Sequence, residues 1–279
     1  MDKIVLDGNV VAQEIREGLK TRIEKLKKNG LIPCLATILV GDNPASETYV
    51  KMKGNACKRL GMKSIRVHLP EETSTSELVE KIKELNNDNS VHGILLQHPV
   101  PPHIDERTAF EAIDIRKDVD GVTSTGYGQT ALGFGEYPPC TPAAIMKILE
   151  HYQIQIDGKH AVVVGRSPIL GKPVSALLLN ANATVTTCHS RTFNLPEILK
   201  LADIVVAAVG KPEFIKGSWL KDGSIILDAG YNEGNVGDID YKTCYEVASA
   251  ITPVPGGVGP VTIATLLKQT VESAEKYSV

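Results

Sequence analysis

Apolar positions along this chain come in blocks that switch between helical spacing and short continuous runs. From about Val10 to Lys28 they recur at helical spacing, closed by Gly30, and Pro33 to Val40 is an apolar run of strand length ending at Gly41-Asp42. Ser46 to Leu60 predicts a second helix, with Asn43 as cap, Pro44 at the first position and Gly61 at the end. Ile65–Leu69 predicts a strand, Ser76–Leu85 a helix, Val91–Gln97 a buried strand and Glu106–Ile113 a short helix. The C-terminal half repeats the alternation. Ala161–Val164, Ala183–Cys188, Ala202–Val209 and Ser224–Leu227 read as strands, Gly165, Gly210 and Gly230 follow three of them, and a last helix runs from Val261 to about Lys276. Such alternation predicts an α/β protein with doubly wound parallel sheet.

Two stretches break the pattern. The run from Gly126-Tyr127-Gly128 through Gly133-Phe134-Gly135 to Pro138-Pro139-Cys140-Thr141-Pro142 is rich in breakers and is expected to mark a cleft between domains. Thr252 to Pro260 reads as a rigid glycine-rich loop, able to approach a cofactor or to serve as a hinge.

With 279 residues, 42% of them hydrophobic, the chain suits two domains or one large α/β unit. A net charge of −3 gives no electrostatic reason to expect nucleic acid or an anionic membrane as partner. No apolar run reaches the roughly 18 residues of a membrane span, and Met1 to Asp7 lacks the apolar core of a signal peptide, so the cytoplasm is expected. Five widely spaced cysteines, without a Cys-x-x-Cys pair, read as small buried residues, and the histidines lack metal-ligand spacing.

Candidate chemistry gathers in two places. Gly165-Arg166-Ser167-Pro168-Ile169-Leu170-Gly171 joins a buried strand to a helix whose first turn holds Pro173, a corner where backbone amides attract phosphate. Its Gly-x5-Gly spacing is not the standard dinucleotide fingerprint, and a plain strand-loop-helix corner reads similarly. The next strand ends at Cys188, 23 residues beyond Gly165, where an NAD site usually places an acid. Here the chain reads His189-Ser190-Arg191-Thr192, so Arg166, Ser190 and Arg191 could hold a 2′-phosphate, which favours NADP; as solvated surface arginines they would look the same.

The other place is the second helix. Tyr49, Lys53, Ala56 and Leu60 share a face with Ser46 beside them, while Lys51 and Lys58 point away. A lysine in that stripe should lose hydration and shift toward proton transfer, unless it snorkels to the rim. Gln97, at the carboxyl end of a parallel strand before His98-Pro99-Val100-Pro101-Pro102, could orient a neutral lysine without adding charge. Arg116-Lys117-Asp118-Val119-Asp120-Gly121 is a charged turn that could present a carboxylate to a ligand or be a solvated linker.

From Leu6 to the final helix the chain closely resembles the bifunctional methylenetetrahydrofolate dehydrogenase/methenyltetrahydrofolate cyclohydrolase family. The likeness rests on Tyr49-Val50-Lys51-Met52-Lys53, Gly93 to Pro101, Lys117-Asp118-Val119-Asp120-Gly121, Pro139-Cys140-Thr141-Pro142, Val164-Gly165-Arg166-Ser167, Cys188-His189-Ser190 and Pro253 to Pro260. It implies two α/β domains flanking a cleft: a catalytic, folate-binding domain from residues 1–120 and 261–279, and a Rossmann-type NADP-binding domain from 121–260. It also implies a homodimer, oxidation of 5,10-methylenetetrahydrofolate and hydrolysis of the methenyl product. The resemblance makes Lys53 the catalytic lysine, has Tyr49 stack on the folate, Gln97 tune the lysine and Asp120 bind the pteridine, and adds Ser46 and Pro99 as substrate contacts. Gly165, Arg166, Ser167 and Ser190 match NADP-binding loops, and Thr141, Gly230, Tyr231 and Thr262 the nicotinamide side. Where the family commonly has Phe-His-Pro-x-Asn-x-Gly, this chain has Val122 to Gly128; Asn55 replaces a common lysine and Tyr231 a common isoleucine. Rival readings are an NADP dehydrogenase of another small substrate, retention of one activity alone, and a non-catalytic NADP sensor.

Overall fold

The computed structural model describes residues 3–277. In chain order its elements are β1 (Ile4–Val5), α1 (Gly8–Lys28), β2 (Cys34–Val40), α2 (Pro44–Leu60), β3 (Lys63–Leu69), α3 (Thr75–Asn87), β4 (Gly93–Leu96), α4 (Glu106–Glu111), α5 (Ser124–Ala131) and α6 (Cys140–His151). Then follow β5 (His160–Val164), α7 (Gly171–Asn180), β6 (Thr184–Cys188), α8 (Leu195–Leu199), β7 (Ile204–Ala207), β8 (Ile225–Asp228), α9 (Tyr241–Val247), β9 (Ala250–Ile251) and α10 (Val258–Tyr277). The chain divides into two compact units, one of residues up to Gln13 with 129–135 and 139–262, the other of 14–128, 136–138 and the residues from 263 onward. It passes from one unit to the other within α1, α5 and α10.

The first unit holds a six-stranded parallel sheet in the order β1-β9-β8-β7-β5-β6. The connection after β6 returns to the far side of β5, so the strand order reverses between β5 and β7, the place where open parallel sheets bind ligands. β7 is buried along its whole length, as is β5 after His160, which is why both read as unbroken runs of Val, Ile and Ala. Beneath them Val162, Val205 and Ile226 pack with Leu199, Ile215 and Ile239. The second unit is built on the three-stranded parallel sheet β3-β2-β4, with every residue of β2 buried. Its edge strand β3 keeps Lys63, Arg66 and His68 exposed, charges and imidazole that oppose pairing with a further strand.

The largest departure from the sequence reading lies between residues 124 and 151. Ser124–Ala131 is a helix in spite of Gly126 and Gly128, and Cys140–His151 is a second helix begun inside the Pro-rich run. Thr123 and Asp118 supply the reason for the first: the Gly126 N–H donates to Thr123 Oγ1 at 3.0 Å, and a side chain at Gly126 would bring a Cβ to 3.0 Å from Asp118 Oδ2. The glycine there makes room for a buried carboxylate and does not interrupt the helix. The glycine-rich loop after β9 makes its close approach to the chain's own backbone, since the Gly8 N–H donates to Gly256 O and a Cβ on Gly8 would lie 1.7 Å from Gly257 O.

Candidate active site

Helix α2 is set by local punctuation. Asn43 has extended backbone and accepts from the Ser46 N–H at 3.0 Å, Pro44 opens the first turn, and Gly61 closes the helix at φ 72, its N–H donating to Cys57 O and Lys58 O. The centre of the buried face runs through Ser46, Val50, Ala56, Cys57 and Leu60, so Tyr49 and Lys53 stand half-buried at its border instead of in its middle. From that border Lys53 Nζ donates to Gln97 Oε1 at 3.0 Å. Gln97 follows β4 directly, is buried, and is fixed at both ends: its N–H donates to Ile38 O at 2.8 Å and its amide nitrogen to His98 O at 2.7 Å. With Nε2 committed to a carbonyl, the face that Gln97 turns to Lys53 is a neutral acceptor.

The charged turn after α4 holds groups of different burial. Lys117 reaches back to the carboxyl end of α3, donating to Leu85 O, Asn86 O and Asp88 O at 2.8–3.0 Å, and burial pulls its ammonium below its ordinary value. Asp118 is 1% exposed and accepts from the N–H groups of Val122 and Thr123 and from the Thr123 hydroxyl. Burial outweighs those donors and raises its carboxyl. Asp120 is half-buried, and its charge adds to the hydrogen bond and charge of Glu106 that hold His98 above the usual imidazole value. His98 Nδ1 lies 2.5 Å from Glu106 Oε1. Pro99, joined to His98 by a cis bond, is exposed beside them.

In the other unit, Gly165 ends β5 with φ 140, and a Cβ on it would fall 2.1 Å from Ala208 O at the end of β7. A Cβ on Gly171, at the start of α7, would lie 2.3 Å from Gly165 O. The corner is therefore a tight backbone cradle that only glycine permits at both positions. Arg166, Ser167, Ser190 and Arg191 are all exposed at the ends of β5 and β6. The Leu170 and Gly171 N–H groups point at Ser167 Oγ, 3.2 and 3.4 Å away, so Ser167 caps α7 from its own loop. On the opposite side of β5 stand Gly230 and Tyr231, which follow β8; the Tyr231 hydroxyl donates to Asn235 Oδ1. Thr141 and Thr262 bring their hydroxyl oxygens to 3.5 Å. The tight glycine corner, exposed cations at one end and neutral polar groups at the other fit a phosphorylated dinucleotide.

Comparison with known proteins agrees with both halves of this geometry. Residues 6–120 match the catalytic domain of tetrahydrofolate dehydrogenase/cyclohydrolase, and residues 139–278 match its NAD(P)-binding domain. The chain belongs to the tetrahydrofolate dehydrogenase/cyclohydrolase family. It is 66% identical over 275 residues to the bifunctional protein FolD of Shouchella clausii, covering 99% of each chain. Among solved structures, the bifunctional FolD methylenetetrahydrofolate dehydrogenase/cyclohydrolase of Campylobacter jejuni superposes with a TM-score of 0.95 at 45% identity, over 98% of this chain and 99% of the other. The Trypanosoma brucei enzyme, solved with NADP and an inhibitor, gives 0.95 at 36% identity, over 99% and 98%.

Within the family's catalytic-domain match lie Ser46, Tyr49, Lys53, Gln97, Pro99 and Asp120, and within its NAD(P)-binding match lie Thr141, Gly165, Arg166, Ser167, Ser190, Arg191, Gly230, Tyr231 and Thr262. Sequence reasoning overlooked the anchors behind them. Lys117 and Asp118 sit inside the Lys117–Gly121 motif, but their duties follow from partners about 30 residues upstream and five downstream, and the His98–Glu106 pair is visible only once α4 is placed.

Proposed function

We propose that this protein oxidises 5,10-methylenetetrahydrofolate to the methenyl form with NADP and hydrolyses the methenyl form to 10-formyltetrahydrofolate. The observation that carries this reading is the 3.0 Å bond from Lys53 to a fixed, neutral Gln97 at the carboxyl end of β4, in a chain of this family. NADP, when bound, supplies the hydride acceptor. Hydride loss from the carbon bridging N5 and N10 leaves a methenyl cation on the folate. Water adds to that carbon, the bond to N5 breaks, and one proton is released for Lys53 to manage. A carboxylate in place of Gln97 would favour the ammonium, and the cationic folate disfavours it, so a neutral partner keeps the lysine useful as a base.

In this reading Tyr49 stacks on the folate, Asp120 accepts from pteridine N–H groups, and Ser46 and Pro99 border the substrate. Gly165 and Ser167 hold the pyrophosphate, Arg166, Ser190 and Arg191 the 2′-phosphate, and Thr141, Gly230, Tyr231 and Thr262 the nicotinamide side. The folate-binding, catalytic part is drawn chiefly from residues 1–120 and 261–279 and the NADP-binding part from 121–260, except that the residues up to Gln13 fall in the unit of the latter and 121–128 and 136–138 in that of the former. The protein works as a homodimer in the cytoplasm; among the described residues no helix is long and apolar enough to cross a membrane. Sedimentation of the purified chain tests the dimer.

Mixing the protein with NADP and methylenetetrahydrofolate should produce NADPH absorbance, followed by decay of methenyl absorbance faster than in buffer. No NADPH would remove the dehydrogenase activity, and methenyl decay at the buffer rate would remove the cyclohydrolase.

A further inference from the structure

Two buried aspartates stand at the carboxyl ends of β7 and β8, and neither belongs to the groups assigned to substrate or cofactor. Asp228 ends β8 and is 2% exposed; Asp238, ten residues on, is fully buried. Asp238 Oδ2 accepts from the N–H groups of Val209 and Gly210 at 2.6 and 2.8 Å, and Oδ1 from Lys211 N–H and the Asn232 side-chain amide at 3.0 and 3.1 Å. Asp228 accepts from the N–H groups of Gly230, Asp238 and Ile239 at 2.9–3.1 Å. The backbone makes room for both: a Cβ on Gly230 would lie 2.2 Å from Asp238 Cγ, and one on Gly237 would lie 1.8 Å from Asp228 Oδ2.

Three successive N–H groups converging on one point form a concavity that takes an anion. At residues 209–211 that anion is a side chain of the protein itself. Filling it internally has two effects. It fixes the backbone of the loop after β7 and, through Asn232 and Asp228, that of the loop carrying Gly230 and Tyr231. It also consumes the N–H groups that could otherwise draw a phosphate to this side of β5. Gly210, with φ 63 and open space where its side chain would be, remains on the outer surface of the pinned loop. Burial, opposed by its three N–H donors and reinforced by the Asp238 charge, pushes the Asp228 carboxyl up to about 6, as expected of two acids sharing one dry site.

We propose that Asp238, backed by Asp228, is a positioning residue for the cofactor: it occupies the anion site at the end of β7 so that the loops 209–211 and 230–232 present a rigid backbone, its N–H groups already filled, to the nicotinamide half of the dinucleotide. The proposal rests on the reading of Gly230 and Tyr231 as nicotinamide-side residues.

Asp238→Asn keeps the size but turns an amide NH2 toward N–H donors, whichever way it faces. Hydrogen exchange on the cofactor-free protein should show amides 209–211 exchanging faster by about tenfold or more, while those of β2 and β5 stay unchanged; losing charge-assisted bonds of this kind is worth roughly tenfold to a hundredfold. Calorimetric titration should show NADP bound correspondingly more weakly, and dehydrogenase kcat should fall as well as KM rising, since misplacement by about 1 Å can cost on the order of a hundredfold in rate. Faster exchange at 209–211 with unaltered NADP affinity and kcat would reduce Asp238 to a purely structural anchor and overturn the proposal, as would unaltered exchange. Tyr231→Ala separates the underlying reading: if neither variant changes NADP affinity, the nicotinamide assignment has failed, and if only Tyr231→Ala does, the positioning role alone has failed. Should Asp238→Asn also raise exchange in β2 and β5, Asp228→Ala, which leaves the side-chain acceptor of residues 209–211 in place and removes the acceptor of the Gly230 N–H, takes its place in the same three measurements. Faster exchange at Gly230 with weaker NADP binding and lower kcat would then support the positioning role, and unaltered affinity and kcat would overturn it.

Discussion

Lys51 and Lys53 are two residues apart and differ in every respect that matters chemically. Lys51 is exposed and pairs with Glu47 one turn away, whereas Lys53 is half-buried and bonded to an amide from another element. Lys53→Met should therefore abolish hydrolysis of methenyltetrahydrofolate while calorimetry finds NADP affinity nearly unaltered; normal hydrolysis would take Lys53 out of the mechanism. Asp118 and Asp120 divide in the same way. Asp120→Asn should weaken folate binding and both reactions with an unchanged unfolding temperature. Asp118→Asn should instead cost about 1–3 kcal/mol of stability, the usual loss for a buried acceptor of several bonds, and leave folate affinity intact in the folded protein. Swapped results would mean that the roles are reversed. Arg166→Ala should weaken NADP by about ten- to a hundredfold and leave NAD nearly unchanged; equal losses would show that Arg166 does not read the 2′-phosphate.

Legibility in the sequence followed the reach of the forces involved. Helix α2 was readable almost residue by residue because Asn43, Pro44 and Gly61 act on their immediate neighbours, and Gly165 was readable as a strand terminator for the same reason. Helices α5 and α6 were hidden, since the Gly and Pro residues that argue against a helix are justified by Asp118 and by the packing of Ala144, Ile145 and Ile148, none of it local. The two-residue strands β1 and β9 carry too little pattern to be seen at all. Another long-range feature is His92, just before β4. Its Nδ1 accepts from the Cys34 N–H at 3.1 Å, its Nε2 is buried without a hydrogen bond, and burial lowers its pKa from 6.5. The unfolded chain thus takes up the proton more readily, so the contribution of His92 to stability is complete above pH 6.5 and is lost as pH falls from there through the folded-state value. His98, raised by Glu106, has the opposite sign: its contribution is present below the unfolded value and lost as pH rises through the folded one. Subtracting the pH–stability curve of His92→Gln from that of the parent isolates the first, and a flat difference between about pH 5 and 7 would contradict it.

At the scale of the whole chain, the α/β class was legible, while the membership of each unit was not, because the N-terminal strand joins a sheet formed otherwise from residues 160–251. NADP should act on that sheet. At about 100 times its Kd it should add about 2.7 kcal/mol to the unit that binds it, so amide exchange should slow in β5, β7 and β8 far more than in β2 and β4; equal slowing in both sheets would argue against an NADP site confined to the unit of β5. The pairing of Ile4 with Ala250 and of Val5 with Ile251 has a further consequence, which concerns synthesis. The first strand to leave the ribosome is the last able to find its place, because the strand it pairs with among the described residues is made near the end of translation. At about 5–20 residues per second, Ile4 and Val5 wait on the order of ten to fifty seconds with their edge unpaired. A nascent chain arrested before Ala250 should leave that edge open to protease, and one extended past α10 should close it.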